Sequence, residues 1–181
     1  MRLIEKSDTD LVQALMDGDV DSFVVLCHRY YPSLVAVARA VLGDGHLAED
    51  AAQEALAKAC RNLDSLKDPS RFGAWLAAIC RNEARCILRR RPAVESLGQR
   101  DVLAETSDEG ADVDVVRRAL DSMPAASREL LYLRYRNDLS YDAIAELLAI
   151  SVEAVRGRLW RAKQDVAAHL ERERTRERRP L

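Results

Sequence analysis

Three arginines stand close together on a helix predicted near the end of the chain. Arg156, Arg158 and Arg161 all fall within residues 151–163. Together they give this helix a basic face, which suits contact with DNA. The outward positions of this helix are Glu153, Ala154, Arg156, Gly157, Arg158 and Arg161.

The elements that must position these arginines form a predicted helix-turn-helix over residues 140–160. Ser140 and Ser151 can each cap a helix by accepting free backbone amides, and Ala145 is small enough for two helices to approach. Apolar residues recur at helical spacing and can close a small core; they are Ile144, Leu147, Leu148, Ile150, Val155 and Leu159. The segment therefore predicts a second helix that enters the major groove of DNA. An amphipathic hairpin with a solvated basic face stays open as the alternative.

A second row of arginines lies on the helix predicted over residues 72–91. Arg81, Arg85 and Arg89 follow one another at i, i+4 and i+8, and Phe72 and Trp75 stand at the helix start. An arginine ladder beside aromatic rings suits phosphate contacts with stacking on unpaired bases. The alternative is that both aromatic rings belong to the core and that the arginines are only solvated.

An acidic and amide patch is predicted on the helix over residues 46–63. Asp50, Gln53 and Glu54 share the side opposite an apolar stripe; the stripe is Ala52, Leu56, Ala59 and Leu63. Such a patch is usually a solvated helix face, so it carries no function by itself.

Composition excludes several classes of protein. The chain has 181 residues with a formal net charge of −2, which argues against indiscriminate nucleic-acid binding through bulk charge. No apolar run is long enough to cross a bilayer, and the N-terminus carries charges where a signal peptide needs apolar residues. We therefore expect a cytoplasmic protein without membrane insertion.

No pattern resembles a catalytic constellation, so we expect no enzyme activity, no cofactor and no metal. The four cysteines read as small core residues, with a metal or redox role kept as a minor alternative; they are Cys27, Cys60, Cys80 and Cys86.

The predicted fold class is all-α, with two small helical domains joined by a flexible acidic linker. The first domain is expected over residues 8–91, the linker over 92–112, the second domain over 113–171 and a disordered basic tail over 172–181. Helices are expected over residues 8–28 with an interruption near Gly18, and over 30–42, 46–63, 72–91, 113–122, 127–134, 141–148 and 152–171. Pro92 ends a helix, and Gly98 and Gly110 loosen the backbone of the linker, in which acidic residues outnumber basic ones.

These pieces together resemble a bacterial RNA polymerase sigma factor of the sigma-70 family, in its two-domain extracytoplasmic-function group. Residues 46–56, HLAEDAAQEAL, are similar to the polymerase-binding helix of that family. Residues 72–84, FGAWLAAICRNEA, are similar to its promoter-melting helix, and residues 123–135, MPAASRELLYLRY, followed by Leu139-Ser140-Tyr141, to the start of its C-terminal domain. The match runs in order from about residue 8 to residue 170.

The resemblance implies a division of labour. Asp50, Gln53 and Glu54 would bind the clamp helices of the largest polymerase subunit, and the second domain would meet the flap of the second-largest subunit. The residues implied for the melted minus-ten element are Lys67, Ser70, Arg71, Phe72, Trp75, Arg81, Asn82 and Arg85. Those implied for the minus-thirty-five element are Ser151, Glu153, Ala154, Arg156, Gly157, Arg158 and Arg161. The acidic linker would lie in the basic cleft of the polymerase, and an anti-sigma factor is the expected regulator.

Two residues depart from the family pattern. Ala149 stands at the turn where the family usually has glycine, and Gly157 stands where a small hydroxyl residue is common. If the turn needs a positive φ, Ala149 costs about 1 kcal/mol. Two other functions stay open on the sequence alone: a DNA-binding regulator that uses only the second domain, and an adaptor or redox sensor that uses the cysteines of the first.

Overall fold

A computed structural model describes residues 6–90 and 110–177, and every regular element in these two ranges is helical. The first block contains α1 (Asp8–Met16), α2 (Val20–Leu42), α3 (Gly45–Arg61) and α4 (Phe72–Arg90), with short 3₁₀ turns at Leu63–Ser65 and Pro69–Arg71. The second block contains α5 (Gly110–Ser122), α6 (Ala125–Leu131), α7 (Tyr141–Leu148) and α8 (Val152–Glu177), with a π-helical turn at Tyr132–Arg136 after α6. The all-α prediction is confirmed, and residues 91–109, most of the expected linker, lie outside the described residues.

Local chemistry explains where the helices of the first block begin and end. Ser7 caps α1 through a hydrogen bond from the amide of Asp10, and the Asp44 carboxylate accepts the amide of Leu47 at 3.0 Å to cap α3. Gly43 ends α2 in the left-handed region, at φ 69°. α2, α3 and α4 pack together, and α1 lies on α2.

Several predicted helix limits are wrong in detail. The expected break between residues 28 and 30 does not exist, because α2 runs without interruption and contains Pro32. Its buried side chains continue across that point from Leu26 to Leu34, so tertiary packing holds the helix together despite the proline. α5 begins at Gly110 and α6 at Ala125, each earlier than expected. α8 continues to Glu177, so most of the expected tail is helical; residues 178–181 lie outside the described part.

The two blocks pack against each other. α2 contacts α6 and the π-helical turn, and α4 contacts α7. Buried apolar residues of both blocks join in one cluster, which includes Leu34 and Leu76 of the first block and Leu130 and Ile144 of the second. Arg128 of α6 donates from Nε to the backbone oxygen of Ala40 at 2.9 Å. The described residues of the chain are thus held in a closed arrangement.

Candidate nucleic-acid and partner interfaces

The acidic and amide patch of α3 lies on the surface, as the sequence predicted. Asp50, Gln53 and Glu54 are exposed, and the opposite side of the helix buries alanines; these are Ala48, Ala51, Ala52, Ala55 and Ala59. The small side chains let α3 lie close to α2 and α4, so the patch stands on a firmly packed helix. Glu54 pairs with Arg61 at 2.9 Å, but both side chains are exposed and such a pair contributes little stability.

The segment before α4 presents polar side chains around a tight turn. Lys67, Ser70 and Arg71 are exposed. The carboxylate of Asp68 accepts the Ser70 amide at 3.0 Å and the Ser70 hydroxyl at 2.6 Å. These two hydrogen bonds lower the pKa of Asp68, because they favour its charged form. The turn therefore holds Lys67 and Arg71 beside the start of α4.

Phe72 does not reach the surface on which the sequence placed it. It is 1% exposed, with its ring 5.6 Å from that of Tyr30 in an edge-on arrangement and 5.8 Å from that of Trp75. The alternative weighed from sequence, a core position, fits Phe72, while Trp75 is half-buried. Phe72 accordingly lies in the core beneath the start of α4, next to Tyr30 and Trp75.

A cleft of about 280 Å³ opens between the end of α3 and α4. Trp75, Ile79 and Asn82 follow one face of α4 along it, at i, i+4 and i+7. The other lining residues come from α4, α3 and the turn that follows α3; they are Glu83, Lys58, Asn62 and Ser65. The Lys58 ammonium pairs with the Glu83 carboxylate at 2.7 Å. An aromatic wall beside amide and charged groups can hold a planar, polar ring.

Sequence reasoning identified Trp75 and Asn82 but missed the rest of this cleft. The helical spacing of Trp75, Ile79 and Asn82 was a usable signal, because these residues share one face of α4. No such signal pointed to Lys58, since its contribution depends on how α3 packs against α4.

The three arginines in the row on α4 differ in exposure and in pairing. Arg85 and Arg89 are exposed. Arg81 is not free: its Nε lies 2.8 Å from Oε1 of Glu129 on α6, and the two side chains are 21% and 11% exposed. Burial raises the pKa of Glu129, and the positive charge of Arg81 opposes that rise.

The helix-turn-helix forms as predicted. Ser140 and Ser151 cap α7 and α8, each hydroxyl oxygen accepting an amide three residues further on at 3.1 Å. Ile144 and Val155 are fully buried between the two helices. Ala149 adopts φ 53° and ψ 46°, so the turn does need the left-handed conformation that the usual glycine of the family at this position suggested.

The exposed face of α8 carries the predicted set of basic residues. Arg156, Arg158 and Arg161 are exposed, as is Glu153; Ala154 and Gly157 are partly exposed. The Ser151 hydroxyl is engaged as the cap of the helix, which leaves its hydrogen for a further partner. Trp160 is 64% exposed among the arginines, a large apolar side chain that sequence reasoning did not assign.

Cation–π contacts order this basic face. The ring of Tyr141 lies under the guanidinium groups of Arg134 and Arg156, at 5.6 and 6.0 Å from its centroid. Arg134 also donates to the backbone oxygen of Leu139 at 3.1 Å. These contacts fix the aromatic ring that neighbours Arg156. The sequence did not reveal them, because the two arginines are far apart along the chain.

Neither a cluster of metal ligands nor a membrane-spanning helix is found among the described residues. Within residues 6–90 and 110–177, no three His, Cys, Asp or Glu side chains stand close enough to hold a metal. No helix in the same ranges has both the length and the apolar character needed to cross a membrane.

Comparison with known proteins gives both blocks a family. The model described as Sigma-70 region 2 matches residues 26–93, and the model described as Sigma-70, region 4 matches residues 114–166. The ECF RNA polymerase sigma-E factor of Escherichia coli K12 is 30% identical over 179 residues, which cover 88% of this chain and 92% of the relative. The chain belongs to the sigma-70 family. It is a sigma factor of the extracytoplasmic-function (ECF) group, as the sequence resemblance indicated.

Other relatives agree with this assignment. The probable RNA polymerase sigma factor RfaY of Xanthomonas campestris pv. campestris is 32% identical over 181 residues and covers 89% of this sigma factor, which spans 45% of the length of that relative. A co-crystal structure of the sigma factor RpoE with the anti-sigma factor NepR from Bartonella quintana superposes with a TM-score of 0.57 and 26% identity. The match covers 84% of this sigma factor and 97% of RpoE.

Proposed function

We propose that this sigma factor binds core RNA polymerase and selects promoters through two DNA elements, one read by each block. The observation that carries the proposal is the cleft between α3 and α4. It places an aromatic ring and an exposed amide, Trp75 and Asn82, beside the basic turn before α4 and the arginine row of that helix.

The cleft suits a base that has left the DNA stack. A flipped base loses its stacking and pairing partners, and an aromatic wall with polar groups beside it can replace both. Trp75 supplies the stacking surface, and Asn82 supplies a donor and an acceptor for a base edge. The neighbouring strand can then bind through phosphates to Lys67, Arg71 and Arg85.

The second block is proposed to read the other DNA element. α8 presents Arg156, Arg158 and Arg161 on a helix that is capped by Ser151 and backed by α7, which is the layout that places a recognition helix in the major groove. Arginine there discriminates guanine by about 1–3 kcal/mol per bidentate pair. Trp160 adds an exposed aromatic surface next to the same groove.

The remaining partners follow from exposed surfaces and from relatives. The patch of Asp50, Gln53 and Glu54 is proposed to bind the clamp helices of the largest polymerase subunit, and the second block to meet the flap of the second-largest subunit. Because the similar sigma factor RpoE is bound by an anti-sigma factor, we propose the same kind of control here. The protein acts in the cytoplasm as a specificity subunit and performs no catalysis of its own.

Reconstituted transcription tests the proposal. Purified protein is mixed with bacterial core polymerase and a genomic DNA pool, and the 5′ ends of the transcripts are mapped. We expect new start sites that share two spaced upstream elements. If the protein neither binds the polymerase nor produces new starts, while binding DNA tightly by itself, the function is that of a stand-alone regulator and the proposal fails.

Variants separate the three surfaces. The double variant Gln53→Ala, Glu54→Ala should lose polymerase binding. Asn82→Ala should keep polymerase binding but lower strand opening about 2–10-fold, the effect of one neutral hydrogen bond. Arg161→Ala should weaken use of the upstream element about 5–150-fold. Asp165→Asn on the exposed side of α8 serves as the control and should behave as wild type. If all three variants lose the same step, the division of labour is wrong.

A further inference from the structure

Glu129 on α6 is among the most buried charged residues of the described chain, with a relative exposure of 8%. Its carboxylate is bound by Arg81 of the first block, across 48 positions of sequence, at 2.8 Å. A buried carboxylate is costly unless it is paired in this way, so the contact holds the two blocks together only while Arg81 stays in place.

Arg81 belongs to the surface proposed for minus-ten DNA. It precedes Asn82, which lines the cleft, and it begins the row continued by Arg85. Arg85 also lies near enough to Glu129 for its charge to lower the pKa of that carboxyl group. The Glu129 carboxylate therefore occupies the place beside these arginines that a DNA phosphate would need, since both are anions that accept from guanidinium groups.

A second contact supports the same closure from the other block. Arg128, next to Glu129, donates to the backbone oxygen of Ala40 on α2 and to the backbone oxygens of Leu120 and Asp121 in its own block. The α6 helix is thus fixed to α2 on one side and to α4 on the other. α7 also contacts α4, so the second block covers part of the α4 surface.

We propose that the Arg81–Glu129 pair is a latch that keeps the free sigma factor closed, so that the second block covers part of the minus-ten surface of the first block. The latch must open before single-stranded promoter DNA can use Arg81. This inference rests on the proposed function of the α4 surface and adds an intramolecular competitor for it.

The test uses the full chain with Glu129→Gln, which removes the charge and keeps the shape of the side chain. Asp165→Asn is the matched control, because it removes one exposed carboxylate from the same block. The radius of gyration is measured by small-angle X-ray scattering, and DNA binding by anisotropy of a fluorescein-labelled 12-nucleotide single strand of random sequence. A compact chain of this length should have a radius of gyration of about 16 Å.

The latch predicts that Glu129→Gln increases the radius of gyration by roughly 5 Å and binds the DNA probe at least about threefold more tightly than Asp165→Asn. If Glu129→Gln does not fold by circular dichroism, Arg81→Gln breaks the same pair from the other side and should give the same expansion. The exchanged pair Arg81→Glu, Glu129→Arg should be compact again. Unchanged dimensions in either single variant would overturn the proposal. So would an expansion of Glu129→Gln without tighter DNA binding than Asp165→Asn, since only this variant keeps Arg81 for the DNA.

Failure of the latch can be told apart from failure of the proposed function. The same wild-type preparation is assayed for transcription with core polymerase. If it initiates at new promoters while Glu129→Gln matches the control, only the latch is wrong. If it neither binds polymerase nor initiates, the promoter function itself is refuted, and the latch falls with it because the covered surface has no DNA to bind.

Discussion

Gly157 and Gly73 both lie inside helices, so substitution of each by alanine tests the packing of this sigma factor with opposite expected signs. A Cβ added at Gly157 meets no heavy atom within 4 Å. A Cβ added at Gly73 meets Cε1 and the hydroxyl oxygen of Tyr30 at 2.8 Å, closer than real Cβ contacts. The same chemical change therefore fills open space in α8 and overfills the junction of α2 and α4.

The magnitudes follow from helix propensity and from the room available. Alanine is favoured over glycine inside a helix by about 1 kcal/mol, and Gly157→Ala should gain this in full, raising the Tm by about 2–4 °C. At Gly73 the gain is opposed by an overpacking cost of about 1–3 kcal/mol. Tyr30 cannot simply move away, because its hydroxyl donates to Asp8 and its ring packs edge-on against Phe72. We expect a net loss of about 1 kcal/mol for Gly73→Ala.

Urea unfolding followed by circular dichroism gives the free energies, and hydrogen exchange of peptides from α4 and α8 assigns each change to its block. In a Tyr30→Ala background, which clears the space above Gly73, the Gly73→Ala penalty should disappear. Changes of the same sign in both single variants would refute the reasoning, as would a Gly73→Ala penalty that persists without the Tyr30 ring.

Three further predictions rest on single observations. Ala149→Gly should stabilise the second block by about 1 kcal/mol, seen as a higher urea midpoint, because Ala149 holds a positive φ. Burial raises the pKa of Cys80 to about 12, so maleimide at pH 8 should label exposed Cys60 and leave Cys80 unmodified, as peptide masses will show; rapid labelling of Cys80 would contradict its core position. Tyr141→Leu should weaken binding to the upstream element about 2–5-fold while Tyr141→Phe does not, because a leucine gives Arg156 no ring.

Much of the fold was accessible from sequence, because local rules decide it. Ser140 and the apolar spacing after it fixed α7 to its observed limits, and Gly43 marked the end of α2 through its left-handed conformation. The continuity of α2 through Pro32 was not accessible in this way. A local rule predicts a break at proline, but the packing of the helix against α1, α3, α4 and α6 outweighs that preference.

The sequence could predict the candidate site only where its residues lie on one helix. Asn82 and Trp75 share a face of α4, and their spacing shows it. Lys58 joins them through the packing of α3 on α4, which no pattern in either helix specifies. Phe72 and Trp75 are both aromatic and lie three residues apart in the first turn of α4. Yet Phe72 is buried and Trp75 lines the cleft. Phe72 packs against Tyr30 of α2, a contact that no pattern within α4 specifies.

Exposure in the closed chain suggests an order of events for the proposed function. The patch of Asp50, Gln53 and Glu54 is exposed while Arg81 is held by Glu129. Under the proposed function, polymerase can therefore bind α3 while the chain stays closed, whereas DNA can use Arg81 only after the Arg81–Glu129 pair has opened. A ligand that needs a fraction f of open molecules binds with its affinity reduced by that fraction. If about one molecule in a hundred is open, free promoter DNA binds roughly a hundredfold more weakly while polymerase binding through α3 is unaffected. Opening by the polymerase would then remove the penalty at the point where promoter recognition begins.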